Sequence, residues 1–452
     1  MSDSTATEIV RRLNRAVRSK SARLRLASRV PFGERLQVCR YILGNGLKVM
    51  LLVDHSAPVV SYHTWFRVGS RNDRPGKTGL AHLFEHLMFN ETKNLPAGVF
   101  DRTLEAAGGE SNAATWVDWT YYYANIPASE LALIVSLEAD RMANLVLRSA
   151  QVESEKQVVA NERRYRVEDD VEGTVSELLY ATAFKRHPYG QPTVGWMADI
   201  EGFSVKDCRN FYRTYYSPNN ATLILAGDFD QQTALGLIQE HYGRQKAARI
   251  PRYRPAVEAG QRSERRLAIR RSTPSQRLLL GFRAPAFSDS DYPALVVANE
   301  ILFGGRSSRL YRRLIRDNEL AVDARGSVAP FCEPGLLEIW VVLRQGKTAP
   351  QALRVVDREL ERLCAESVGK RELEKVINRL DLAFLQGLES ASGKAERIGF
   401  YETVMGDARS LFARRQAFSA MRPEEVQRVA RRYFRKKNRT VITVEPGDGE
   451  LA

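Results

Sequence analysis

Residues 79–90 read GLAHLFEHLMFN, and this short stretch holds residue types that metal sites use. His82, Glu85 and His86 stand at positions i, i+3 and i+4, which share one face of an α-helix. The chain has only six histidines, so the close spacing of two of them is unusual. Apolar residues recur around them at helical intervals, and the pattern therefore predicts a helix with both histidines on one side.

The motif HxxEH indicates a zinc site with His82 and His86 as ligands. Two imidazoles one helical turn apart can bind a tetrahedral Zn²⁺ and leave positions for a third protein ligand and a water molecule. Zinc lowers the pKa of such a water to about 7, and Glu85 would take its proton as general base. The alternative is a surface helix with two solvated histidines. The apolar residues around the motif argue against that alternative, because buried imidazoles need partners.

The third ligand is sought among acidic residues downstream. The segment VESEKQVVANERR at 152–164 offers Glu153, Glu155 and Glu162. Glu155 and Glu162 are seven positions apart, or two helical turns, so both lie on one face of a helix. Alone, such a pair is typical of a solvated helix face. With HxxEH upstream, it becomes a candidate source of the missing ligand.

Together these motifs resemble the M16 (pitrilysin/insulinase-type) zinc metallopeptidases, and within them the short-chain M16B group. The family pattern is HxxEH followed after about 75 residues by a glutamate, and Glu162 follows His86 by 76 positions. The resemblance implies Zn²⁺ as cofactor, Glu162 as third ligand and Glu155 as a carboxylate that orients a ligand. GGESNAATWVDWTYYY at 108–123 supports it, and the match is stronger over 38–230 than in the second half.

The resemblance also implies where substrate binds. Asn112 and Ala113 match edge-strand positions of the family, at which an extended peptide pairs with the main chain. The simpler alternative for Asn112 is a turn residue. Family members also carry an arginine and, seven positions later, a tyrosine that hold the substrate backbone. Arg316 is the candidate arginine, but the run is one residue short and Val322 stands where tyrosine is expected. The remaining histidines are interpreted as structural: His55, His63, His187 and His241.

A chain of 452 residues corresponds to one half of the clamshell that insulinase-type relatives form, so the resemblance implies a dimer. We expect a heterodimer with a paralogous M16B subunit that lacks HxxEH, or a homodimer, which encloses a chamber for unfolded or short peptides. The predicted function is zinc-dependent endopeptidase. The alternative is a non-catalytic, structural M16-like subunit of a larger complex, a class that typically loses zinc ligands.

The order of strand and helix patterns repeats along the chain, which indicates an internal duplication. We predict an α+β fold with two homologous domains, each an open mixed or antiparallel sheet packed by helices, that form half of a clamshell. The predicted segments are a basic N-terminal extension at 1–37, a catalytic zinc-binding domain at 38–245, a linker at 246–262, and a second domain without a metal site at 263–446. The linker is assigned because that stretch has no hydrophobic period and is rich in Arg and Pro.

The net charge is +14, and residues 1–40 contribute strongly, with ten Arg/Lys against three Asp/Glu. No motif of a nucleic-acid-binding module accompanies this charge, so nucleic acid is not an expected partner. No apolar run reaches the roughly 18 residues of a membrane span. The four cysteines form no CxxC pair. We expect a cytoplasmic, bacterial location; the arginine-rich, serine-containing start also fits a mitochondrial presequence, so the mitochondrial matrix is the alternative.

Overall fold

The structure is a computed structural model, and it describes residues 3–254 and 256–447. Within them the strands are β1 (Leu24–Phe32), β2 (Leu36–Leu43), β3 (Lys48–Val53), β4 (Val59–Phe66), β5 (Glu110–Thr115), β6 (Thr120–Pro127), β7 (Ala221–Gly227), β8 (Arg265–Arg271), β9 (Arg277–Arg283), β10 (Ala321–Val328), β11 (Leu336–Leu343) and β12 (Arg439–Pro446).

The α-helices of the same residues are α1 (Asp3–Arg15), α2 (Leu80–Leu87), α3 (Val99–Ala106), α4 (Leu131–Asn144), α5 (Ser149–Arg163), α6 (Val171–Ala183), α7 (Met197–Glu201), α8 (Val205–Tyr215), α9 (Gln231–Tyr242), α10 (Tyr292–Phe303), α11 (Arg309–Tyr311), α12 (Ala349–Ala365), α13 (Lys370–Gln386), α14 (Ala391–Val404), α15 (Ser410–Ser419) and α16 (Pro423–Tyr433). Two π-helical segments, Arg164–Glu168 and Arg312–Asp317, directly follow α5 and α11.

The strands form two mixed sheets in which equivalent strands have the same order. The first sheet runs β1-β2-β3-β7-β4-β6-β5 and the second β10-β11-β9-β12-β8. The order β3-β7-β4-β6-β5 in the first sheet corresponds, strand for strand, to β8-β12-β9-β11-β10 in the second sheet when that sheet is read from its other edge. Each contains one parallel pair, β3 with β7 and β8 with β12. The predicted α+β fold with two homologous domains is confirmed, and β1 and β2 are additions to the first sheet.

The burial of each strand follows its place in the sheet. All seven residues of β7 are buried, because this central strand has chain packed on both of its faces. In β6, by contrast, buried residues alternate with half-buried ones, and Tyr122, Ala124 and Ile126 face the apolar core of the first sheet. A separate apolar core lies against the second sheet.

Contacts divide the chain into two compact units that are not continuous in sequence. Unit 1 comprises Met1–Glu162, Pro192–Arg254 and Gly387–Arg409, and unit 2 comprises Arg163–Gln191, Pro255–Gln386 and Ser410–Ala452. Helix α14 belongs to unit 1 and packs on β4 and β7, whereas α6 belongs to unit 2 and packs on β9 and β12. The units therefore differ from the continuous domains predicted at 38–245 and 263–446. The reason is that each sheet has one face covered by a helix from the other half of the sequence.

Two glycines let these exchanged helices lie close to their strands. Gly399 of α14 faces Trp65 of β4, and a Cβ atom at this position would overlap the indole nitrogen. Gly281 of β9 faces Leu179 of α6, and a Cβ atom there would lie 2.9 Å from a leucine methyl carbon. The close approach of helix and sheet thus depends, in both units, on a residue without a side chain.

The segment predicted as an N-terminal extension at 1–37 is part of unit 1. Strand β1 pairs antiparallel with β2, and both Leu24 and Phe32 at its ends are buried. Asn14 of α1 holds the start of β1, because its side chain donates to the Leu24 carbonyl and accepts from the Leu24 amide, both at 2.8 Å. The pairing register shifts between Leu26 and Ser28, and this bulge breaks the alternation by which a strand is recognised in sequence.

The described residues between Tyr242 and Arg265 form no helix or strand, which agrees with the missing hydrophobic period of this stretch. None of the helices in the described part of the chain has both the length and the apolar character needed to cross a bilayer.

Candidate metal centre

The start of α2, the helix that carries HxxEH, is fixed by a buried carboxylate. Asp73 accepts hydrogen bonds from the backbone N–H groups of Gly79, at 2.9 Å, and Ala81, at 3.1 Å. These groups belong to the first turn of the helix, which has no partners of its own for them. Gly79 has φ +89°, a conformation that favours glycine, and its backbone lies against that of Gly195. The position of the motif is therefore set by contacts to the backbone of the helix start, which do not involve the side chains of the motif.

Helix α2 is buried on its apolar face. Leu80, Leu83, Phe84 and Leu87 join the core of unit 1, as the helical spacing predicts. The carbonyl of Phe84 accepts a hydrogen bond of 3.0 Å from the hydroxyl of Tyr122 on β6. This contact ties the middle of the helix, next to Glu85, to the sheet.

The ligand predicted from α5 lies beside the two histidines. Glu162 Oε2 is 3.2 Å from His86 Nε2 and 3.6 Å from His82 Nε2. The two imidazole rings are 5.0 Å apart between centroids. One ligand atom from each of the three residues lies within 4.8 Å of the others. The structure thus brings Glu162 together with His82 and His86, although it follows His86 by 76 positions in sequence.

Glu155, also on α5, contacts the outer nitrogen of one histidine. Its Oε2 lies 3.7 Å from His86 Nδ1, and its Oε1 accepts a 3.0 Å hydrogen bond from the side-chain amide of Asn90. A carboxylate in this position orients the imidazole ring and increases the electron density on the other ring nitrogen. Sequence reasoning missed Asn90 and Asp73, since a lone amide or carboxylate near a motif carries no periodic signal.

The electrostatic field at His86 favours positive charge. Burial lowers the pKa of this imidazole, but the hydrogen bond and charge of Glu162, together with the charges of Glu85 and Glu155, raise the pKa above its ordinary value of 6.5 overall. Three carboxylates around an imidazole would stabilise a cation bound there in the same way as they stabilise the proton.

The residues present fit a zinc ion in type, number and convergence. Two imidazole nitrogens and one carboxylate oxygen are a donor set of catalytic zinc sites, which leave a further position open for water or substrate. Glu85 lies on the same helix face but is not one of the three converging donors, so its carboxylate is left for another role.

The equivalent part of unit 2 has no such centre. Helix α10 follows β9 as α2 follows β4, yet it contains no histidine. Among the described residues, the only group of three or more His, Cys, Asp or Glu side chains that converges like a metal site is the one in unit 1.

Asn112 and Ala113 lie in β5, a free edge of the first sheet. They pair with Tyr123 and Tyr122 of β6, so Asn112 is a strand residue rather than the turn residue of the alternative reading. Arg316 lies in unit 2, is exposed, and pairs with Asp317 at 3.0 Å. Val322 is the second residue of β10 and is 60% exposed. Both residues belong to unit 2, whereas the three proposed metal ligands belong to unit 1.

The remaining histidines have structural surroundings. His63 is buried in β4 with Nε2 2.9 Å from Ser61 Oγ, and His187 is buried with Nε2 2.8 Å from Glu333 Oε2. His55 pairs with Asp228 at the surface, and His241 lies near the end of α9.

Comparison with known proteins agrees with this fold and site. The family model described as insulinase (peptidase family M16) matches residues 48–195, and the model described as peptidase M16 inactive domain matches residues 202–380. The zinc protease PqqE of Helicobacter pylori is 30% identical over 411 residues, which cover 89% of this chain and 92% of that protein. An uncharacterized zinc protease of Mycobacterium leprae, ML0855, is 29% identical over 413 residues, covering 88% of this chain and 90% of that protein. The chain belongs to the M16 peptidase family.

Solved structures show the same architecture. A protease from Helicobacter pylori superposes with a TM-score of 0.87 at 29% identity, covering 93% of this chain and 100% of that one. The periplasmic protease PqqL of Escherichia coli superposes with a TM-score of 0.75 at 19% identity. The match covers 92% of this chain but 48% of PqqL, so this fold occurs there as part of a longer chain.

Proposed function

We propose that this chain is a zinc-dependent endopeptidase in which His82, His86 and Glu162 hold one zinc ion. The observation that carries the proposal is the convergence of these three donors next to Glu85. The names of the relatives, zinc proteases, support it. The intact donor set favours this function over the alternative of a non-catalytic subunit.

The chemistry follows from the positions of the carboxylates. Zinc held by this donor set supplies a Lewis acid that activates water at neutral pH. Glu85, one turn from His82 and adjacent to His86, accepts a proton from the attacking water and returns it to the leaving amine. Glu155 keeps the ring of His86 in a fixed orientation, and Asn90 holds Glu155.

The free edge of β5 is the proposed binding site for the substrate main chain. The two edges of the first sheet differ. β1 carries a bulge and Pro31, features that hinder pairing with a further strand. β5 has no proline, and its pairing with β6 shows no register shift. An extended peptide can therefore add to β5 near Asn112 and Ala113, where recognition of main-chain groups suits unfolded or short peptides.

We further propose that the active assembly is a dimer with a closed chamber, formed with a paralogous M16B-type subunit that lacks HxxEH. The support is in unit 2, in which Val322 occupies the position expected for a substrate-binding tyrosine. A partner that supplies an arginine and a tyrosine of its own would complete the substrate site. A homodimer with other substrate contacts is the competing arrangement.

The test of the peptidase function is cleavage of an unstructured, internally quenched peptide by the purified protein. We expect hydrolysis that is abolished by removal of metal with a chelator and restored by stoichiometric zinc. Hydrolysis at the same rate in metal-free protein would contradict the proposal, as would a zinc-loaded complex without activity toward any unfolded peptide.

A further inference from the structure

Unit 2 contains a cavity of about 280 Å³ that arginines dominate. It lies between the segment Arg309–Asp317 and helices α12 and α13. Its lining includes four arginines and two glutamates, together with Ser307: Arg309, Arg312, Arg313, Arg362, Glu359 and Glu372. Four guanidinium groups around one cavity repel each other unless anions compensate them, so the partners of each arginine decide what the cavity can bind.

Arg309, whose side chain is less exposed than those of Arg313 and Arg362, still has an unused donor. Arg309 forms a bidentate pair with Glu372, in which Nε and Nη2 donate to the two carboxylate oxygens at 2.9 and 2.7 Å. This pair holds the guanidinium plane in place. Its Nη1 is buried and has no hydrogen-bond partner among the residues that the structure describes. The structure thus leaves one buried guanidinium donor beside the cavity unsatisfied.

The other arginines share one buried carboxylate. Glu359 is 3% exposed and lies 3.2 Å from Arg362 Nη1 and 3.4 Å from Arg313 Nε. Arg362 also reaches Glu366 at 3.2 Å, outside the lining of the cavity. Arg312 forms no ion pair within the described part of the chain. The carboxylates that line the cavity thus leave an excess of positive charge.

Two basic residues next to the lining residue Ser307 add to this charge. Lys375 Nζ lies 3.1 Å from the hydroxyl of Ser307, one of the lining residues. Arg306 is exposed one position earlier and forms no ion pair with any described residue. Planar guanidinium groups that line one cavity are suited to oxygen atoms of phosphate, because each can donate two parallel hydrogen bonds.

We propose that this cavity binds a compact, multiply charged oxyanion, with the phosphoryl groups of inorganic polyphosphate or of a nucleotide as the chemical class. Arg312 and Arg362 are the ligand contacts, Arg309 adds positive charge beside them, and Ser307 supplies a hydroxyl. Its residues belong to unit 2, whereas the proposed metal ligands belong to unit 1, and the proposal goes beyond the peptidase function.

The experiment is a calorimetric titration of the full-length protein with inorganic tripolyphosphate at constant ionic strength. We expect saturable binding that weakens about tenfold or more in Arg312→Ala and in Arg362→Ala. The matched controls are Arg316→Ala, in the same π-helical segment as Arg312, and Arg358→Ala, exposed on the same helix as Arg362. Neither control residue lines the cavity, so both controls should bind as the wild type does.

Three further results complete the test. Glu366→Gln should bind tripolyphosphate more tightly, because it frees one side of Arg362 from a competing carboxylate. Tighter binding of ATP than of tripolyphosphate would identify a nucleotide as the source of the anion, and equal binding would identify the free polyphosphate; both results support the site. The proposal is overturned if no anion binds. It is also overturned if all four arginine variants bind tripolyphosphate with the same affinity, as they would if the anion bound to a metal ion elsewhere.

Discussion

The side-chain amide of Asn90 donates a 3.0 Å hydrogen bond to Glu155, and the other carboxylate oxygen of Glu155 lies 3.7 Å from Nδ1 of His86. Asn90 follows the HxxEH helix, whereas Glu155 comes from α5. The contact therefore joins the two elements that supply the proposed ligands, at a point that the metal itself would not touch.

This relationship predicts a graded loss of zinc affinity. Glu155→Gln should weaken zinc binding by about 10- to 100-fold, and Asn90→Leu should weaken it less, since Asn90 acts only through Glu155. The measurement is competition for zinc with a chelator of known affinity. Glu153→Gln is the control, because Glu153 lies on the same helix, is exposed and pairs with Lys156. Equal affinities in all three variants would show that Glu155 does not support the ligand.

A second prediction separates the base from the ligands. Glu85→Gln should retain one zinc ion per chain and lose about 10²- to 10⁴-fold in peptide hydrolysis, because an amide cannot accept the proton of water. His82→Ala and Glu162→Gln should lose the zinc as well as the activity. Metal content by elemental analysis, measured beside the rate, distinguishes the two groups. Near-normal hydrolysis by Glu85→Gln would remove Glu85 from its proposed role.

A third prediction concerns pH and stability. Burial lowers the pKa of His63 to about 3. The folded protein therefore keeps this imidazole neutral, while the unfolded chain protonates it below about pH 6.5. The unfolded state binds more protons between these values, so stability decreases as pH falls from about 6.5 toward 3, by about 1.4 kcal/mol per pH unit for this one group.

The variant His63→Gln lacks that contribution. When the pH is lowered from 7 to 5, the free energy of unfolding of the wild type should therefore decrease by about 2 kcal/mol more than that of the variant. Urea unfolding of the metal-free protein at both values measures it, since removal of metal excludes effects of the metal centre. A difference that is independent of pH would mean that His63 titrates normally in the folded state.

A fourth prediction compares two helical glycines of unit 1. Gly399→Ala should destabilise the protein by about 1–3 kcal/mol, because the new methyl group overlaps the indole of Trp65. Gly236→Ala in α9 should be neutral or stabilising by up to about 1 kcal/mol, because its Cβ would meet only a methyl carbon of Leu13, at 3.7 Å. Thermal unfolding of both variants tests the contrast, and the same sign in both would contradict the packing of α14.

A fifth prediction concerns assembly. The chain alone should hydrolyse peptides weakly, and addition of a paralogous subunit without HxxEH should increase the rate by about 100-fold or more, since poor positioning of substrate reduces rate even when the metal is intact. The assay compares the chain alone, the partner alone and the mixture, with native mass measured in each case. Full activity of a homodimer, unchanged by the partner, would refute the two-subunit proposal and leave the zinc chemistry untouched.

Part of the metal centre could be predicted because it is local. His82, Glu85 and His86 share a helix face by spacing alone, and the structure places both histidines at one site. Glu162 was different. Helical periodicity put it on one face with Glu155, but only the family resemblance selected it, because nothing in a single sequence tells which distant helix packs against α2.

The fold was predictable to a similar extent: local patterns predict the strands and helices, but not which distant elements pack together. Two repeats of strand and helix patterns gave two sheets, whose strand orders match. The placement of α6 and α14 was not predictable, since an amphipathic helix does not specify which sheet it covers. The strand β1 was missed for a local reason: its bulge and its arginines disguise the period of two on which recognition of strands depends.

The exchange of α6 and α14 has a consequence for biosynthesis. A ribosome finishes β7 about 180 residues before it finishes α14, an interval of roughly 10 to 35 seconds at typical rates of elongation. During that interval the nascent first sheet lacks the helix that covers Trp65 and its neighbours, and exposes apolar surface to solvent or to a chaperone. A gene divided at the linker would encode two fragments, and the sheet of each would lack a helix that the other fragment contains. Neither fragment should therefore fold alone.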